Sequence, residues 1–243
     1  MLKKMRSKLA FNISAGVVLI LLLFGAFTSF IGFTQFTSAL DEHYAENGYN
    51  ICRLATNLLK ADDIMDYLDP EYMQTEEYQT TMRRLDAMTE KLDCAFIYAM
   101  IPLNEDCTQV KFLFETQNDN FELKAYPPGY ERAAGSDEYA MKYKLMMEGK
   151  SEQDCVFRNA RDTTTGAHVS AFIPIKNSEG KPVGILCVQR QMSALTGARN
   201  NYLLNIGLAT LLWAFIVALF FASFLSRRVA KPVRELSLIH ISE

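Results

Sequence analysis

The chain has 243 residues, of which 49% are hydrophobic, and a formal net charge of −3. This hydrophobic share is ordinary for a folded protein and excludes intrinsic disorder, which requires low hydrophobicity. No Asp, Glu, Lys or Arg lies between Lys8 and Asp41 or between Arg199 and Arg227, and two such uncharged runs argue against a simple soluble enzyme. The segment between the runs is acidic and both ends are basic. An acidic segment lacks the basic surface that nucleic acid requires, so we expect no nucleic-acid partner.

The two uncharged runs predict two transmembrane helices, over residues 9–35 and 202–225. Each run is long enough for the roughly 20 apolar residues that a helix needs to cross a bilayer. Because Lys- and Arg-rich flanks stay inside, we expect a multi-pass protein of the plasma membrane, in contact with lipid. Residues 1–8 and the C-terminal end are then cytoplasmic, and residues 36–201 lie outside. A cleaved signal peptide is the alternative for the N-terminus, but its apolar stretch is long and no Ala-x-Ala site follows it.

The outer segment begins with a pattern that predicts one long helix over residues 40–68. Its apolar residues, with Asn47 among them, alternate in steps of four and three, which is a heptad repeat. The repeat predicts a parallel homodimer along this helix. Packing of the same helix on its own sheet is the alternative. Asp69-Pro70 ends the helix, because proline disfavours helical geometry in the residue before it, and an amphipathic pattern predicts a second helix over residues 76–92.

Strand patterns follow, so the predicted fold class is α+β with an antiparallel sheet. Residues 94–101 and 110–116 are expected to pair, and a loop with a short helix over 137–148 follows them. Three more strands are predicted at 155–158, 168–175 and 183–189, the last two joined by the turn at Asn177-Ser-Glu-Gly180.

Candidate chemistry is sparse in this outer segment. Five cysteines are present, and buried free thiols are the interpretation that we favour, with one or two disulfides in an oxidising exterior as the alternative. Their spacing does not resemble a zinc site. His43 and His168 are far apart in sequence, and neither a nucleophile elbow nor a glycine-rich phosphate loop is present. We therefore expect no catalytic residue, metal or cofactor in this chain.

The order of the predicted elements resembles that of PAS-like extracytoplasmic Cache domains. The most specific piece is VSAFIPIKNSEGKPVGILCV over residues 169–188, which is similar to the terminal hairpin of that family. The resemblance covers residues 36–200 and implies a single Cache module that binds a ligand between the concave sheet face and the loop with its short helix. It implies that Arg132 or Arg158 holds a carboxylate through a bidentate contact. The candidate ligand-binding residues are Tyr98, Phe112, Phe114, Tyr126, Tyr130, Arg132 and Arg158. The alternative is that the aromatic residues are core and the arginines are surface charges.

The C-terminal end carries a second resemblance. SRRVAKPVREL over residues 226–236 is similar to the start of a HAMP signalling helix, and the resemblance implies that Pro232 opens the helix while Val229, Val233 and Leu236 are core positions. Residues 237–243 instead resemble a translated sequencing adapter fused to a truncated reading frame.

Together these features predict the sensor half of a bacterial transmembrane signalling receptor. Its output domain is expected to be missing, and a histidine kinase, a chemotaxis domain, a nucleotide cyclase and a phosphatase all fit this position. The alternative is an extracytoplasmic protein-interaction module that takes no small ligand.

Overall fold

The computed structural model describes residues 2–118, 120, 124–158 and 166–225. Two short 3-10 helices, at Ile64–Leu68 and Tyr72–Gln74, accompany the main elements. The α-helices are α1 (Leu2–Thr56), α2 (Glu76–Lys91), α3 (Asp137–Met147) and α4 (Ser193–Leu225), and the strands are β1 (Phe96–Pro102), β2 (Gln109–Glu115), β3 (Glu131–Ala133), β4 (Asp154–Arg158), β5 (His168–Lys176) and β6 (Pro182–Gln191). The predicted α+β class is therefore confirmed, and the five predicted strands are present, but the structure adds β3 in a segment that was predicted to be a loop.

The chain divides into two compact units. One unit comprises Met1–Ala39 with Thr196–Glu243, and the other is Leu40–Leu195. The residues matched to HAMP, including Val229, Pro232 and Val233, lie outside the described residues, as does the adapter-like tail.

In the Leu40–Leu195 unit, the described strands form one antiparallel sheet in the order β3-β2-β1-β6-β5-β4. The first and last long strands, β1 and β6, are thus neighbours in its middle. Buried side chains cover both faces of the sheet in two separate cores. One core takes residues from α1, α2 and the 3-10 segments, and the other takes residues from α3 and the loop before it. The second face is the one on which a ligand was expected.

The C-terminal part of α1 packs directly on β5. A Cβ atom added to Gly48 would lie 2.5 Å from the Cβ of Ala171, and the Cys52 thiol lies 3.5 Å from the carbonyl oxygen of the same alanine. Only glycine allows the two backbones to approach this closely.

The predicted long helix is wrong beyond Thr56. The chain turns there and resumes as a 3-10 helix at Ile64–Leu68, which brings Tyr67 into the core with 1% exposure. The carboxylate of Asp62 fixes this turn, because it accepts hydrogen bonds from the backbone N–H and the hydroxyl of Ser178, both at 2.8 Å. The residues of the predicted heptad repeat therefore differ in exposure: Ile51 is buried within its own chain, whereas Leu54 is 56% exposed.

The helix predicted over residues 76–92 is confirmed as α2. The Thr75 hydroxyl caps it by accepting a hydrogen bond from the backbone N–H of Tyr78 at 3.3 Å. Acidic residues in its first turn and Lys91 in its last complement the helix dipole.

The other unit contains a pair of apolar helices. Among the described residues, α1 and α4 are each long and apolar enough to cross a membrane. Within this unit the rings of Phe36 and Tyr202 stack with centroids 4.5 Å apart, and the hydroxyls of Ser29 and Thr210 lie 3.4 Å apart. The later residue of α1, Phe36, contacts the earlier residue of α4, Tyr202, and the earlier Ser29 contacts the later Thr210. The two helices are therefore antiparallel.

Candidate ligand-binding cavity

A cavity of about 390 Å³ lies between one face of the sheet and α3 with the loop that precedes it. Its volume is within the range of about 300–1,000 Å³ that is typical of small-molecule sites. The central strand β1 supplies the aromatic floor through Phe96 and Tyr98, and α3 supplies Tyr139 and Tyr143. Charged and polar groups lie among these aromatics: Glu115, Lys124, Arg132, Arg158, His168, Ser170 and Gln189.

A β-bulge in β2 decides which side chains enter the cavity. Met100 pairs with Phe112 and Ala99 pairs with Phe114, so Leu113 is an extra residue in β2. Phe112 belongs to the cavity-side core, whereas Leu113 and Phe114 both pack in the core on the α1 side. The alternation resumes out of phase after the bulge, and Glu115 therefore faces the cavity.

Glu115 carries a partly buried carboxyl whose pKa lies close to neutral pH. Burial raises its pKa from 4.5 to about 7, against the opposing effects of a hydrogen bond and a positive charge. The backbone N–H of Tyr126 donates to one carboxylate oxygen, and the positive charge is that of Arg132. No ion pair joins Glu115 to Arg132 in the part of the chain that the structure describes.

Arg132 is held by groups at the same end of the cavity. Its guanidinium lies 5.4 Å from the ring centroid of Tyr126, donates to the Tyr126 hydroxyl at 3.4 Å and to the carbonyl of Ala133 at 3.1 Å. The Tyr126 ring stacks in turn on Tyr130 at 4.5 Å. These contacts direct the cation at Tyr126 rather than at the Glu115 carboxylate.

The opposite end of the cavity is built by α3, β4 and β5. The Arg158 guanidinium lies 5.9 Å from the ring centroid of Tyr139, and the Tyr139 hydroxyl donates to the Ser170 hydroxyl at 3.1 Å. His168 Nδ1 lies 2.8 Å from the carbonyl of Gly166. Because a carbonyl only accepts, Nδ1 carries the proton there. Burial, aided by the charge of Arg158, lowers the pKa of His168 and keeps the ring neutral at pH 7.

Gln189 supplies the least satisfied polar group in the cavity. The residue is 8% exposed, and its Nε2 is buried with no hydrogen-bond partner among the described residues. It stands on β6 between Phe96 of β1 and Ser170 of β5, and all three line the cavity. A buried donor without a partner costs about 1–3 kcal/mol, which a ligand acceptor would recover.

The structure brings together most, but not all, of the predicted site residues. Phe114 lies on the opposite face of the sheet, so its expected place in the site is wrong, and the bulge at Leu113 is the reason. Tyr130 is 41% exposed and stacks on Tyr126 outside the cavity lining. The predicted residues that line the cavity are Tyr98, Phe112, Tyr126, Arg132 and Arg158. Their contact with a ligand stays a prediction.

Sequence reasoning missed Glu115, Gln189 and Ser170. A signal existed for one of them, because Ser170 is a polar residue between Val169 and Ala171 in an apolar run, whereas Gln189 opens the polar run Gln189-Arg-Gln191 at the end of β6. Nothing in the sequence marks the bulge that turns Glu115 inward.

The five cysteines are all unpaired thiols, as the favoured interpretation expected. Cys155 is partly exposed and the other four are buried. Burial raises the pKa of Cys94 to about 12, so that thiol stays protonated and unreactive at neutral pH. Among the described residues, no group of three or more His, Cys, Asp or Glu side chains is placed to hold a metal ion.

Comparison with known proteins finds no matching family model and no matching curated protein. Solved structures match at low similarity. The ligand-binding domain of the Campylobacter jejuni chemoreceptor Tlp3, in complex with 4-methylisoleucine, is 14% identical, with a TM-score of 0.40 over 72% of this chain and 62% of that one. The sensor domain of the Vibrio cholerae histidine kinase DctB is 14% identical, with a TM-score of 0.35 over 66% and 58%.

The matches are not confined to membrane receptors. The nlh2 GAF domain of A. aeolicus is 13% identical, with a TM-score of 0.32 over 68% of this chain and 98% of that one. This chain spans 62% of the length of the chemoreceptor domain. All three TM-scores are below 0.5, so no ligand, residue role or activity carries over from these structures to this chain.

Proposed function

We propose that this chain is the sensor half of a membrane receptor, in which the Leu40–Leu195 unit binds a small molecule outside the cell. The observation that carries the proposal is the buried Gln189 amide, whose Nε2 has no partner among the described residues and which lines a polar cavity of about 390 Å³. A cavity of this size that holds an unsatisfied donor is suited to a ligand with a complementary acceptor.

The membrane placement rests on the two apolar helices. α1 and α4 are long enough to span, and the basic residues at both ends of the chain favour cytoplasmic termini under the positive-inside rule. The acidic unit between them is then extracytoplasmic. This topology puts the cavity on the outside and any output domain on the inside.

Signal transmission is proposed to run through β6. This strand lies in the middle of the sheet, contributes Gln189 to the cavity and ends at Gln191, two residues before α4 begins at Ser193. Shifts of about 1–2 Å at packed helices are enough to switch a bistable interface. A ligand biases the two states only by its differential affinity for them, and a HAMP helix with Val229, Pro232 and Val233 would report the shift to a kinase, cyclase or phosphatase.

A parallel homodimer is proposed along the exposed side of α1. Leu54 is the exposed apolar residue of the predicted repeat within α1, and its neighbour Arg53 forms an ion pair with Glu46 at 3.2 Å. Apolar contact at Leu54 with charged residues beside it is the arrangement that coiled-coil partners use.

The test is a chimera in which residues 1–235 are joined to the cytoplasmic half of a HAMP-containing histidine kinase. A flexible Gly-Ser insertion between Thr196 and Gly197 should leave ligand binding intact and abolish the ligand response. A full response in the insertion variant would contradict transmission through β6 and α4. A response to a protein partner that survives when the cavity is blocked would instead support the interaction module.

A further inference from the structure

The polar groups of the cavity lie at two ends of an aromatic floor. Gln189 on β6 pairs with Phe96 on β1, and Glu115 on β2 pairs with Tyr98 on β1. The strand β1 therefore separates the amide from the carboxyl, and its two aromatic residues lie between them in the cavity lining. At about 4.8 Å per strand, the backbones that carry the two groups are roughly 10 Å apart.

The two ends have complementary chemistry. At one end, the buried Gln189 amide offers a donor, close to the Ser170 hydroxyl on the neighbouring strand and on the side where Arg158 contributes positive charge. At the other end, Glu115 offers carboxylate oxygen, and the hydrogen bond that holds it comes from the Tyr126 backbone N–H to one oxygen. The charge of Arg132 acts on Glu115, but its guanidinium is directed at Tyr126 and Ala133.

We infer that the cavity selects an extended zwitterion, with a carboxylate bound at Gln189 and Arg158 and a positively charged nitrogen bound at Glu115. The methylene chain between the charges lies over Phe96 and Tyr98. An α-amino acid with an uncharged side chain carries its ammonium and carboxylate on the same α-carbon, so its two charges are too close together to engage both ends. This inference rests on the proposed function, because it names the ligand class of the same site.

The inference has a pH consequence. The ionisable and charged groups around the Glu115 carboxyl are Tyr98 from β1, Cys187 from β6, Arg132 from β3, and Tyr126 and Lys124 from the loop. Burial raises the pKa of the Tyr98 hydroxyl and the Cys187 thiol above the neutral range, so neither titrates near pH 7. A cationic nitrogen binds only the ionised carboxylate. With the carboxyl half-ionised near pH 7, affinity should fall about tenfold from pH 8 to pH 6.

The experiment is isothermal titration of the full chain in detergent micelles with four small probes. 5-Aminopentanoate carries both charged groups at a distance, 2-aminopentanoate carries them close together, and pentanoate and pentylamine each lack one. We expect 5-aminopentanoate to bind at least about tenfold more tightly than the other three, which is the scale of one charge-assisted hydrogen bond.

Variants separate the two ends. Glu115→Gln should weaken 5-aminopentanoate at least about tenfold, remove the pH dependence and leave pentanoate unchanged. Gln189→Leu should weaken the binding of 5-aminopentanoate and pentanoate and leave the binding of pentylamine unchanged. Glu131→Gln, an exposed residue of β3 paired with Lys111, is the matched control and should change nothing.

The outcomes distinguish this inference from the proposed function. Equal affinity for 5-aminopentanoate and pentanoate, or a Glu115→Gln variant with unchanged affinity, overturns the zwitterion while small-molecule sensing stands. A second outcome also overturns the zwitterion while small-molecule sensing stands: an unrelated small molecule binds, Gln189→Leu abolishes its binding, and Glu115→Gln leaves it unchanged. A cavity that binds no small molecule of any class overturns both.

Discussion

Replacing Glu115 by glutamine should stabilise the ligand-free protein at pH 8 while it weakens ligand binding. Glutamine keeps an oxygen that accepts the Tyr126 backbone N–H but removes the buried charge. Because the pKa of Glu115 is raised from 4.5 to about 7, the folded state holds its proton more tightly than the unfolded state. Folding stability therefore falls as the pH rises through this window.

The size of the effect follows from that pKa change. The interval from 4.5 to about 7, at about 1.4 kcal/mol per pKa unit, gives an upper bound of about 3 kcal/mol above pH 7. Most of that stability is lost by the wild type between pH 5 and pH 8. For a unit the size of Leu40–Leu195, 1 kcal/mol corresponds to about 2–4 °C, so the wild type should lose roughly 5–10 °C more than the variant over this pH range.

Differential scanning calorimetry of the full chain in detergent, without ligand, at pH 5 and pH 8 measures this difference. Glu131→Gln is again the control, because it removes an exposed carboxylate from the neighbouring strand β3. Parallel pH dependences for wild type and Glu115→Gln would refute a carboxyl destabilised by burial in the cavity.

Three further predictions concern packing, topology and assembly. Gly48→Ala should destabilise the fold by about 1–3 kcal/mol despite the better helix propensity of alanine, because its Cβ would overlap that of Ala171; a thiol-reactive dye reports unfolding as buried cysteines become exposed. A membrane-impermeant thiol reagent on intact cells should label Glu179→Cys and not Ser7→Cys, in accordance with cytoplasmic termini. Leu54→Asp should abolish cross-linking between chains without unfolding the protein, because Leu54 is 56% exposed.

Each of these predictions has a contrasting outcome. Gly197→Ala, where a Cβ meets no atom within 4 Å, should not destabilise the chain, and equal behaviour at Gly48 would contradict the close helix–sheet approach. The opposite labelling pattern would invert the topology. For assembly, Asn50→Asp on the same exposed face should preserve cross-linking, and a dimer that survives Leu54→Asp would leave α1 with an intramolecular role only.

The sequence was sufficient for the features that depend on periodicity. Alternating and continuous apolar runs predict every strand except the three-residue β3, and the amphipathic pattern with Glu76 and Lys91 at its ends predicts α2. The predicted heptad helix ends at Thr56 instead of continuing to residue 68. A tertiary contact accounts for this difference, because Asp62 accepts hydrogen bonds from Ser178 and holds the chain in a turn. Local pattern carries no information about that distant contact.

The position of the cavity and its two arginines were predicted from the sequence, but its carboxyl group was not. Arg132 and Arg158 were predicted from the resemblance to Cache domains, and both line the cavity. Phe114 was misplaced and Glu115 was missed for one common reason: the extra residue Leu113 shifts the alternation of β2. The bulge therefore places the Glu115 carboxyl, instead of the Phe114 ring, in the cavity, where it sets the charge of this end.

The measurement that tests the central claim most directly is small-molecule binding with the cavity open and blocked. Ala134 follows the short strand β3, lines the cavity and is buried in the core on that side, whereas Glu131 of β3 is exposed and does not line it. A calorimetric screen of amino acids, carboxylates and amines against the full chain should find a ligand that raises the unfolding temperature. Ala134→Trp should remove that rise, and Glu131→Trp should retain it. A stabilising ligand that binds Ala134→Trp as well as the wild type, or a chain stabilised by no small molecule, would contradict a sensor that works through this cavity.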